Sequence, residues 1–163
     1  MKLFPILWSL LACSIAVIPV NADDAADDQA AREQAFSTML SDSALVGSFT
    51  VDGKSDAVPK AERYEIESVT KVTGDLWTFL ARVKYGKVDT KVPITVPVVW
   101  AGDTPMVSLT NATLPGLGEA FSARVVFHDG RYAGTWQHGA VGGHMFGRIE
   151  KNESPPKGAT TPQ

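Results

Sequence analysis

A single cysteine, Cys13, occurs among the 163 residues of this chain. No disulfide can form within it, and no thiolate cluster can hold a metal. Basic residues are fewer than acidic ones, 15 against 18, for a formal charge of −3. A dispersed acidic balance leaves no electrostatic footprint for nucleic acid and no basic patch for anionic lipid. Catalytic signatures are scarce too. The glycine-rich stretch 134–147 lacks the Gly-Lys-Ser/Thr ending of a phosphate loop. Ser48, Ser68 and Ser108 lie outside any Gly-x-Ser-x-Gly setting.

The longest apolar run is at the N-terminus. Lys2 precedes a run from Leu3 to Val20, which ends in Val20-Asn21-Ala22 and then turns acidic. That order is expected of a secretory signal segment, residues 1–22, cleaved near Ala22. Pro5 and Pro19 count against a retained membrane span. Leu10-Leu11-Ala12-Cys13 also resembles a lipobox, but the residues after Cys13 stay apolar, which favours cleavage over lipidation. The mature domain then has no cysteine, and one domain is expected at this length.

Residues 25–40 read as one helix within an acidic N-terminal segment, 23–43. Phe36, Met39 and Leu40 make its short apolar stripe, which suits packing across one end of a β domain. From Leu45 the period becomes two. Leu45, Gly47 and Phe49 share one face, as do Tyr64, Ile66, Ser68 and Thr70. Trp77, Phe79, Ala81, Val83 and Tyr85 form a third set, and the even-numbered residues from Val88 to Trp100 a fourth. Pro93 and Pro97 each remove a ladder donor, so this segment is expected to bend or break near a seam. Met106 to Leu109 reads as a short strand and 111–118 as a loop. Phe121, Ala123, Val125 and Phe127 make the next inward set, and Asp129-Gly130 a type I′ hairpin turn. Two further strands follow, Arg131 to Gln137 and Met145 to Glu150. About eight strands with short connections predict an antiparallel up-and-down barrel over 44–151, with a two-sheet sandwich as the alternative. Residues 152–163, proline-rich and aperiodic, read as a disordered tail.

Three groups of residues are candidates for function. His128, His138 and His144 could approach one another around the last hairpin and bind a metal, although their spacing matches no ligand motif. Tyr64, Trp77, Phe79 and Trp100 fall on inward faces and could line a pocket for an apolar ligand, with Ser68, Thr70 and Thr90 as the inward polar positions. The strand edge near Pro93 and Pro97 could meet an envelope partner. Glu62, Glu65 and Glu67 lie on or beside one strand; Glu65 and Glu67 share an outward face with Arg63 and Lys71, as on a solvated sheet.

Gly47-Ser48-Phe49 opening the first strand after a helix, with Arg148 in the last strand, resembles lipocalin-type (calycin) barrels, where phenylalanine here replaces their tryptophan. The resemblance implies that Gly47, Phe49 and Arg148 close the barrel base. Residues 100–105 (Trp-Ala-Gly-Asp-Thr-Pro) and 132–139 (Tyr-Ala-Gly-Thr-Trp-Gln-His-Gly) also resemble small exported bacterial proteins of unknown function. The expectation is a secreted or periplasmic, non-enzymatic barrel without a cofactor, holding a small apolar ligand. A histidine metal protein and an envelope-associated module are the alternatives.

Overall fold

The computed structural model describes residues 22–54, 58–85, 88–114 and 118–152. Residues 1–21 of the expected signal segment, with Cys13, and 153–163 of the expected tail lie outside the described residues, as do 115–117 of the expected loop.

One helix, α1 (Ala22–Leu40), precedes eight strands: β1 (Ser43–Phe49), β2 (Lys60–Thr73), β3 (Leu76–Tyr85), β4 (Val88–Ala101), β5 (Thr104–Leu114), β6 (Gly118–His128), β7 (Arg131–His138) and β8 (Val141–Lys151). Each strand pairs antiparallel with the next, and β1 pairs with β8, so the sheet closes into a barrel. Closure excludes the two-sheet sandwich and leaves no free first or last strand. Arg63, Glu65, Glu67 and Lys91 carry exposed ion pairs on the outer wall. A charged outer face is what a water-facing barrel wall needs.

The alternation holds through most strands and fails at identifiable places. β2 shifts register between Ile66 and Ser68. One extra residue reverses the side-chain phase, so Val69 is buried while Thr70 and Val72 face out. The expected inward positions Ser68 and Thr70 are corrected accordingly, and Thr90 is exposed. β5 is longer than expected. It runs through the segment read as the start of a loop by means of a bulge at Asn111, whose φ is 45°. Asparagine tolerates that left-handed conformation, and the Asn111 N–H donates to Ser122 Oγ at 2.9 Å in place of a ladder bond. The last hairpin is tighter than expected. Gly139 and Ala140 form the turn, and Gly142 and Gly143 belong to β8.

β4 is continuous across Pro93 and Pro97, so of the bend or break expected near a seam, the break does not occur. It pairs with β3 along ten residues, from Pro97 opposite Leu76 to Val88 opposite Tyr85. Its register with β5, however, covers only Val98–Ala101 against Thr104–Val107. The prolines cannot donate to a neighbour, and the described β4–β5 ladder ends beside Pro97. This is the shortest seam of the barrel.

Helix α1 stops one end. Phe36 and Leu40 are buried, and the Phe36 ring meets Trp77, Phe127, Trp100 and Phe79 edge-on, at 5.2, 5.8, 5.9 and 6.2 Å between centroids. Such pairs add about 0.5–1.5 kcal/mol each beyond their burial. Ser37 Oγ donates to Val69 O at 2.6 Å, Glu33 pairs with Lys71, and Lys151 Nζ donates to Ser41 O at 2.6 Å beyond the helix C-terminus. The helix is thus fixed by one aromatic side chain inside and by polar ties at its rim.

Candidate functional site: an apolar chamber beside a half-buried carboxylate

Above the helix plug the interior is not filled. A chamber of about 320 Å³ lies between the inward faces of all eight strands, with Tyr64, Phe79, Ile94, Leu109, Trp136 and Met145 among its walls. Small-molecule sites span about 300–1,000 Å³, so this one is small. A second hollow, of about 580 Å³, lies on the other side of β6 and β7, with Arg124, Thr135, His144 and Asp52 around it. The two share Ser122, Ala123, Trp136 and Gln137 as a common wall. Both reach the solvent; the outer hollow is larger but polar. The inner one is bounded almost wholly by carbon, the kind of surface water leaves most readily.

Of the four aromatic residues expected in a pocket, Tyr64 and Phe79 line the chamber. Trp77 and Trp100 do not; they pack against Phe36 in the plug, where Arg32 also lies over the Trp100 ring at 5.3 Å. Their inward phase was correct, but alternation says nothing of height along the barrel axis. Trp136 is the aromatic wall that sequence reasoning did not select. It packs edge-on against Phe49 at 5.8 Å, and its Nε1–H donates to Thr50 O at 3.2 Å. Its position two residues beyond Gly134 and four beyond Tyr132, in the same phase, was the available signal.

The three histidines are not brought together. His138 stacks on Phe121 at the rim, with centroids 4.1 Å apart. His144 lies opposite Thr135, an odd number of residues from His138's own row, and so on the other face of the sheet. His128 lies at the opposite end, across from Arg131. Among the described residues no group of three or more histidine, cysteine or acidic side chains is placed to hold a metal.

The barrel closes by a device different from the one the resemblance implied. Arg148 faces outward and bonds Glu150, with Nε donating to Oε1 at 2.7 Å. Phe49 faces inward, towards Trp136, so the two cannot form a closing pair. Instead, Tyr132, Gly147, Gly47 and Glu62 are successive cross-strand partners across β7, β8, β1 and β2. The row spans three inter-strand steps, roughly 14 Å. The Tyr132 side chain lies over the two glycines and donates its hydroxyl to Glu62 Oε1 at 2.7 Å. A Cβ on Gly47 would sit 2.1 Å from Phe146 O and 2.5 Å from the Tyr132 hydroxyl; one on Gly147 would sit 2.3 Å from Val46 O. Gly47 therefore does belong to the closure, with partners other than Phe49 and Arg148.

Tyr64 donates to the other carboxylate oxygen, Oε2, at 3.1 Å. Glu62 thus accepts one phenol proton on each oxygen. Burial pushes its pKa above the ordinary 4.5, against the lowering effect of the Tyr132 and Tyr64 hydrogen bonds. Burial and then the neighbouring carboxylate hold both phenols well above the ordinary 10, so both protons stay in place across the physiological range. Sequence reasoning did not single out Glu62; its phase with Tyr64 and Ile66 was the available signal.

No protein-family model, curated protein or solved structure matches the chain. The fold and the geometry of its interior carry the functional reading.

Proposed function

We propose that this protein is a binding barrel that holds one small apolar molecule in its interior. The observation that supports the reading is the chamber itself: about 320 Å³ bounded by apolar side chains from every strand. Cores normally pack to crystal-like density, and lining atoms without partners lose dispersion contacts. A ligand restores them. At about 30 Å³ per water-sized group, the chamber takes roughly ten heavy atoms. The short β4–β5 seam lies beside Ile94 and Leu109 of its wall and is the least paired part of that wall. The role is carriage or sensing rather than catalysis, and the apolar segment before Ala22 supports export to a periplasmic or extracellular space.

Titration with a small hydrophobic dye tests the reading, alongside native mass spectrometry of freshly purified protein. One saturable site is expected in the wild type. Ala81→Leu, which fills the chamber from β3, should abolish it while keeping the far-ultraviolet spectrum of the barrel. Absent or non-saturable binding, or equal binding by the folded variant, would contradict the reading.

A further inference from the structure

The polar groups at the chamber's edge restrict what the ligand can be, and this step rests on the binding reading above. Tyr64 lines the chamber, and its one proton is donated to Glu62. Trp136 lines it too, and its one donor is held by Thr50 O. Gln137 donates one of its two amide N–H bonds to Gly139 O at 3.0 Å and stands in outward phase, away from the chamber. Ser122 keeps a proton of its own, but it stands in outward phase with Gln137 and accepts from Asn111. A phenol has one donor and two acceptor sites. With its donor committed, Tyr64 offers the chamber only an acceptor, backed by the Glu62 carboxylate. The other charge in phase on β2, Lys60, is exposed at the strand end beside Phe49.

We propose that the chamber is selective for apolar molecules carrying a hydrogen-bond donor, an alcohol or a primary ammonium group, and rejects fatty-acid carboxylates of the same length. A donor head meets the Tyr64 oxygen and gains from the Glu62 charge behind it. A carboxylate head meets lone pairs and a like charge in a poorly solvated place, where such opposition is strong. The ionised ligand would leave its own oxygens without donors, a penalty of the kind that makes missing partners costly.

Displacement of the bound dye by octanol, octylamine and octanoate at neutral pH distinguishes the outcomes. Octanol and octylamine should each displace at least tenfold more effectively than octanoate. Tyr64→Phe should reduce the advantage of octanol over octanoate, and Glu62→Gln should narrow the gap between octylamine and octanoate, with circular dichroism verifying that each variant is folded. Should either variant fail to fold, the wild-type order alone decides. Octanoate competing as well as octanol would overturn the donor selectivity while leaving the chamber intact. A dye that never binds would overturn the binding reading as well.

Discussion

The two ends of this barrel are built from the same alternating strands, yet one is solid and the other holds a chamber. At the plugged end α1 inserts Phe36 among Trp77, Phe79, Trp100 and Phe127, each ring meeting it edge-on. At the other end Ile94, Leu109, Trp136 and Met145 face one another across about 320 Å³. The strands supply largely apolar inward faces to both ends. An additional element is required to fill the bore, and the described residues provide one helix for two ends. Packing is therefore densest where the helix docks, and the open space lies where it does not.

Truncation at each end should expose that asymmetry most strongly. Phe36→Ala should cost about 3–5 kcal/mol, as expected for a buried phenylalanine, measured by urea denaturation. Ile94→Ala, whose side chain already borders space, should cost about 1–2 kcal/mol, since fewer contacts are lost. Equal losses would erase the distinction between the ends.

Next in size is the closure row. Gly47→Val should destabilise by about 3 kcal/mol, because the added carbon meets the Phe146 carbonyl and the Tyr132 hydroxyl. Tyr132→Phe keeps the ring and removes one donor from Glu62, and should cost about 1–3 kcal/mol. Its folded state should also be measurable where that of Gly47→Val is not. A loss within experimental error in Tyr132→Phe would remove the hydroxyl–carboxylate contact from the account of closure.

The smallest effect is expected at Arg148. Its ion pair with Glu150 lies in solvent, with the Arg148 side chain 67% exposed, and exposed pairs contribute little. Arg148→Ala should change stability by less than about 0.5 kcal/mol. A large loss would restore Arg148 to the closing role implied by the lipocalin resemblance.

The alternation made the eight strands, the barrel and the Asp129-Gly130 turn legible in the sequence, because burial of one face imposes a period of two. It failed where an extra residue was inserted: the shift in β2 exchanged Ser68 and Thr70 for Val69, and the bulge at Asn111 hid the length of β5. The site was half legible. Tyr64 and Phe79 were identified, whereas Trp77 and Trp100 were assigned to the right face at the wrong height, which depends on strand tilt and on where α1 docks. The Glu62–Tyr132 contact was beyond reach because it needs the register of four strands at once. The separation of His138 from His144 turns on a two-residue hairpin that their run of glycines concealed.

The central claim is that the upper bore is an open apolar space. A crystal of the protein pressurised with xenon tests it directly, since dry apolar cavities bind that gas. Xenon density is expected among Phe79, Ile94, Leu109 and Trp136. An interior free of xenon, with those side chains meeting across the axis, would contradict the account.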